Sequence, residues 1–166
     1  MKKINAVTDY VIMKAKLDEA SVSLTHLKLQ KILYYIQAWS LGINKKKMFD
    51  ADFQAWVHGP VCREVYDRFS PCRSIYDEIS QSDIRTPKDD FDKYLSEDEM
   101  AFIDYILENY LGFSGSELEE MTHQEAPWIE ARKGVGKFER SEEVLSCETM
   151  LSYYGKKWEE ISRKEP

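Results

Sequence analysis

Apolar positions Ile4, Val7, Val11 and Ala15 recur at helical spacing, with Tyr10 beside them, and predict an amphipathic helix over residues 4–18. Thr25 can cap a second helix, which the pattern carries to about Leu41 with Gly42 as its stop. Along it Leu29, Ile32, Leu33, Ile36 and Trp39 share a core face. Lys28, Lys31, Tyr34 and Gln37 fall towards the outward side, with Gln30. Residues 53–57, Phe-Gln-Ala-Trp-Val, have the aromatic and β-branched content of a strand. Gly59-Pro60 then reads as a tight strand-to-helix joint, because proline suits the first turn of a helix. Val61, Val65 and Phe69 would line the inner side of that helix. Glu64 with Arg68 and Arg63 with Asp67 would pair at i,i+4 outside.

Residues 80–94 are the most polar connection and read as a surface loop. Ser96 with Glu99 and Ser114 with Glu117 are capping boxes that open two further helices, the first closed by Gly112. Pro127 begins a short helix through Ala131, and Gly134 and Gly136 make a turn. Ser146 caps a last helix with Cys147, Met150, Leu151, Tyr154, Trp158 and Ile161 on one face. Gly155 weakens it, and its C-terminal end is expected to fray. The expected fold is mainly α: about six to seven helices in one compact domain over residues 1–166, with a short strand or small β element near residues 53–57.

The balance of 30 acidic against 23 basic residues, a net charge of −7, counts against nucleic-acid binding, which needs clustered Lys and Arg. No apolar run reaches the roughly 18–20 residues of a membrane span. Cys62, Cys72 and Cys147 form no Cys-x-x-Cys pair and leave an odd thiol, as expected of a reduced cytoplasmic protein. They fall on apolar faces, where a buried thiol is inert. No Gly-x-Ser-x-Gly elbow and no phosphate-binding loop occurs, so no catalytic residue and no cofactor is assigned. His26, His58 and His123, with Glu125, could form a metal-dependent enzyme site only if the fold gathers them, since none has a second ligand at short spacing. A winged-helix DNA-binding protein is a further alternative, because a strand-to-helix joint follows two helices.

The second helix is the richest candidate surface, combining Lys28, Lys31, Tyr34 and Tyr35, and Trp56 and Trp128 add aromatic area elsewhere. Cations in the N-terminal half of a helix oppose its dipole, so at least one of Lys28 and Lys31 is expected to pair with an acid, Glu125 being the internal candidate.

Three blocks carry a resemblance. Leu27-Lys-Leu-Gln-Lys-Ile-Leu-Tyr-Tyr35, Phe53-Gln-Ala-Trp-Val-His-Gly-Pro-Val61 and Thr122-His-Gln-Glu-Ala-Pro-Trp128 follow one another in the order of the Panacea domain. This is the family of SocA-like antitoxins and phage-associated GepA-type proteins, and the chain resembles it from residue 4 to about 155. The approach Gly112-Phe113-Ser114-Gly115 departs from the family's short Tyr-Gly turn. The resemblance implies a mostly helical, non-enzymatic antitoxin that neutralises a cognate protein toxin, encoded by a neighbouring gene, through direct binding. In one branch it also delivers the toxin to a bacterial protease. It leaves self-association open. Lys28, Lys31, Tyr34, Tyr35, Trp56, His123, Glu125 and Trp128 are the motif positions carried over as candidate partner contacts, with Gly59, Pro60 and Pro127 as structural positions.

Overall fold

The second helix organises the molecule. The computed structural model describes residues 1–18 and 23–165, and its helices are α1 (Lys3–Leu17), α2 (His26–Trp39), α3 (Arg63–Phe69), α4 (Glu97–Tyr110), α5 (Gly115–His123), α6 (Ala126–Ala131) and α7 (Cys147–Lys164). A two-stranded antiparallel hairpin, β1 (Gln54–Trp56) and β2 (Gly59–Val61), lies between α2 and α3. The protein is thus mainly α with a small β element. Local caps open the helices where the sequence places them. Thr25 accepts from Lys28 N, Ser146 from Thr149 N, and the reciprocal boxes form at Ser96/Glu99 and Ser114/Glu117.

Every residue of α2 is buried. Its apolar side joins one core with Val7 and Val11 of α1, Ile103, Ile106 and Leu107 of α4, Leu118 of α5, and Met150 and Tyr154 of α7. The helix does not stop at Gly42 as expected. It continues as a π-helical turn, Ser40–Asn44, and Lys45 supplies the left-handed step with φ of 58°. Gly42 faces α7 instead: a Cβ there would lie 2.7 Å from the Tyr154 backbone carbon and 2.8 Å from Gly155 N. Gly42 and Gly155, read from the sequence as a stop and a weakness, are where these two segments approach closely.

The Gly59-Pro60 pair is corrected too. It is the second strand of a hairpin, and Pro60 does not open a helix; α3 begins only at Arg63, with Cys62 as its N-cap residue. Val57 and His58 form the turn, and Gly59, with φ of 95°, carries the positive φ that closes it. Pro60 sits opposite Ala55 in the register. Having no N–H, it suits a position where the strand's polar groups turn away from its partner. The strand-to-helix joint that motivated the winged-helix alternative is therefore absent.

Two further expectations fail for one reason, long-range pairing. Arg68 does not pair with Glu64. It reaches Asp9 on α1 and the Asp83 carbonyl, while Glu64 takes Lys2. Asp9 is fully buried and its other oxygen accepts from Arg85 N, Thr86 N and Thr86 Oγ1. These bonds draw part of the 80–94 connection inward, so that Thr86 and Phe91 are buried. Arg63 and Asp67 do pair, at 2.9 Å.

Candidate partner-binding site

The polar residues of α2 point at backbone, not at solvent. Lys28 Nζ donates to the Leu111 carbonyl just past the end of α4. Gln30 grips Cys62 from both sides, accepting its N–H at 2.9 Å and donating to its carbonyl at 3.4 Å. Gln37 accepts from Met48 N at 2.9 Å and donates to the Phe49 carbonyl at 2.9 Å, and Ser40 donates to the Lys46 carbonyl. Lys31 Nζ donates to the Pro60 carbonyl at 3.0 Å. That last contact follows from the strand chemistry: proline leaves the outward edge of β2 with an acceptor and no donor, and an ammonium is a pure donor. Burial pulls the Lys31 ammonium down to about 7, with Glu119 opposing the shift. Lys28 is also lowered by burial, against Asp18 and Glu117.

The opposite edge of the hairpin is held in the same manner. Ala55 donates to the Glu143 carbonyl at 2.8 Å and its own carbonyl accepts from Arg132 Nη1 at 2.8 Å. Trp128 Nε1 donates to the Trp56 carbonyl at 2.9 Å. His123 stacks on Trp128 with centroids 4.0 Å apart, and burial lowers the His123 imidazole. Thus the third motif block is docked onto the second, and both rest on α2.

Glu125 occupies a separate, buried place at the joint between α5 and α6. Tyr35 donates to one carboxylate oxygen; Tyr154 donates to the other at 3.0 Å, with Lys157 at its outer side at 3.5 Å. Since the Tyr154 proton is committed to Glu125, Tyr34, 3.2 Å away, donates to the Tyr154 oxygen. Tyr35 stacks on Tyr110 at 4.1 Å, and Tyr110 accepts from Trp39 Nε1. Burial raises the phenols of Tyr34, Tyr35, Tyr110 and Tyr154, with the Glu125 charge acting in the same direction. The expected pairing of Glu125 with Lys28 or Lys31 is replaced by this cage.

The motif positions therefore separate by exposure. Lys28, Lys31, Tyr34, Tyr35 and Glu125 are buried and present no surface in this structure, which corrects the expectation of an outward face on α2. Trp56, His123 and Trp128 are half-buried. His58 and His123 share the neighbourhood of Glu119, whereas His26 has other contacts. His26 is enclosed by Gln30, Tyr66 and Phe69, with burial lowering it to about 4. His58, at the hairpin tip, meets Glu119 of α5 at 2.6 Å. Among the described residues no three His, Cys, Asp or Glu side chains come together as a metal-binding group. Cys62 is buried, Cys147 half-buried and Cys72 exposed, so the third does not follow the buried reading. No helix is long and apolar enough to cross a membrane among the described residues.

Beside the hairpin opens a groove of about 820 Å³. Its floor is α2 at Leu27, Gln30 and Lys31, and one wall is the hairpin tip, Trp56 to His58. The facing wall is Arg63 and Tyr66 of α3 with Ser74 and Ile75, and Arg140 to Glu142 close one end. Sequence reasoning missed it because residues 74–75 and 140–142 carry no motif.

This arrangement, a buried α2 that binds a Gly-Pro hairpin and a His-x-Glu-x-Pro-Trp helix pair to itself, coincides with a known family. The model of the antitoxin SocA-like, Panacea domain matches residues 29–129, from α2 through α6, and the chain belongs to that family. The match is narrower than the resemblance drawn from the motifs: α1 and the whole of α7 fall outside it, although Tyr154 of α7 completes the Glu125 cage. No curated protein and no solved structure matches the chain.

Proposed function

We propose that this antitoxin-like domain neutralises a cognate protein toxin by binding it directly and stoichiometrically in the cytoplasm, without catalysis. The observation that carries the reading is the family match over 29–129. The placement of the motif side chains supports the same reading. Lys28, Lys31, Tyr34, Tyr35 and Glu125 of the motifs are hydrogen-bonded within the scaffold and hold it, leaving surfaces and a groove as the means of action. Trp56, His123 and Trp128 are the motif positions open to a partner. Delivery of the bound toxin to a bacterial protease is compatible with the same step and would follow it.

The test is co-expression. The product of the neighbouring open reading frame should arrest growth alone, and growth should return when this chain is expressed beside it. A tagged chain should carry the toxin through purification. Persisting arrest at a comparable level of folded chain would refute the proposal. Repeating the rescue in protease-deficient cells separates the two modes: rescue lost there assigns the delivery step, and rescue retained assigns neutralisation to binding alone.

A further inference from the structure

The groove beside the hairpin differs in charge from the molecule around it. The whole chain carries −7, yet the exposed Lys, Arg, Asp and Glu side chains of the groove lining are Arg63 and Arg140 against the single acid Glu142. Arg63 is already engaged by Asp67 at 2.9 Å and Glu142 at 3.4 Å. Arg140 is exposed and has no ion pair among the described residues. Lys31 lies beneath, fully buried and held by the Pro60 carbonyl, and adds no exposed charge. Beside the two arginines the walls are apolar and aromatic: Trp56 and Tyr66 meet edge to face at 4.7 Å, with Val57 and Ile75 beside them.

Tryptophan, tyrosine and arginine around a concave surface are the residue types on which binding energy concentrates. A volume of about 820 Å³ is large enough for bulky side chains from one extended segment, well within the roughly 300–1,000 Å³ of ordinary ligand clefts. An unpaired arginine at the rim beside apolar walls disfavours a basic segment and favours an acidic one. We propose that this groove receives the partner toxin through a short extended segment carrying a bulky apolar side chain next to a carboxylate. The apolar side chain packs against the joined Trp56–Tyr66 pair, beside Val57 and Ile75, and the carboxylate meets Arg140. The inference rests on the toxin-binding reading above and names the surface that performs it.

The experiment titrates the purified toxin of the neighbouring gene into the wild-type chain and into three variants, by calorimetry, with melting temperatures recorded for each. Arg140→Glu removes the unpaired cation from an exposed loop, and Val57→Asp places a charge in the apolar wall. Glu108→Arg, on the exposed side of α4, is the control. Arg140→Glu and Val57→Asp should each weaken binding by at least about tenfold, with the control at the wild-type affinity. If Val57→Asp fails to fold, Arg140→Glu decides. Wild-type affinity in Arg140→Glu, or a loss in Glu108→Arg alone, overturns the groove while leaving toxin binding standing. A wild-type chain that binds no toxin overturns the underlying reading and the groove with it. A lysine in place of one acidic toxin residue, found by scanning, should restore binding to Arg140→Glu.

Discussion

Replacing Gly59 by alanine tests the hairpin geometry most sharply. Gly59 has φ of 95°, and a Cβ there would lie 2.6 Å from Lys31 Cε and 2.8 Å from Thr122 Oγ1. Two costs add. A non-glycine residue in that backbone region loses about 1–3 kcal/mol, and forcing a methyl into packed side chains loses about 1–3 kcal/mol more. Lys31 cannot simply withdraw, because its ammonium is buried and holds the Pro60 carbonyl. The sum of about 2–6 kcal/mol corresponds to a fall in Tm of roughly 4–24 °C for a chain of this size. Gly134 separates the two terms. It has φ of 84° but nothing within 4 Å of the added Cβ, so Gly134→Ala should lose only the backbone part, about 1–3 kcal/mol. Urea denaturation of both variants, at equal slope, measures the difference. If Gly59→Ala costs no more than Gly134→Ala, the hairpin is not pressed against Lys31 and Thr122 and the account of the Gly-Pro motif is wrong.

Three more outcomes follow from the same contacts. Burial holds Lys31 at about 7, below its ordinary 10.5, so the unfolded chain binds more protons between those values and stability rises with pH there; Lys31→Met should remove about 3 kcal/mol of that rise between pH 7 and 9.5, and identical pH slopes for variant and parent would contradict it. Glu125→Gln replaces a carboxylate that accepts from two phenols and should destabilise by about 1–3 kcal/mol in chemical denaturation, whereas no change would mean the tyrosine cage does not depend on the charge. Gly42→Ala meets backbone at 2.7 Å while Gly155→Ala meets only the flexible end of Lys45 at 2.9 Å; Gly42→Ala should therefore cost about 1–3 kcal/mol and Gly155→Ala much less, and thermal melts showing the reverse order would refute the close crossing.

What the sequence disclosed was governed by local chemistry. Thr25, Ser96, Ser114 and Ser146 cap the helices they were expected to cap, because an N-cap depends on a side chain and the backbone N–H three residues on. What it concealed depended on distant chain. Helical periodicity assigns lysine outward by default, whereas Lys28 and Lys31 are drawn inward by carbonyls at Leu111 and Pro60. One signal was available: α2 contains no acidic residue, while a solvated face normally alternates charges to form i,i+4 pairs. Arg68 misled for the opposite reason, since Glu64 stood at ideal helical spacing and Asp9 lay on another helix. The hairpin was hidden because Val57 and His58 are not typical turn residues and the left-handed step falls on Gly59, after them. The groove could not be read at all, since its walls come from four separated stretches of chain.

The central claim is that the domain acts by holding its toxin, and a neutralisation titration tests it most directly. Purified toxin is assayed in its own activity at fixed concentration against increasing chain, and the same mixtures are resolved by size-exclusion chromatography. The account predicts that activity falls linearly to a break at a fixed molar ratio and that a complex of matching composition elutes at that point. Full neutralisation at a small fraction of that ratio, or loss of toxin activity with no complex formed, would contradict it.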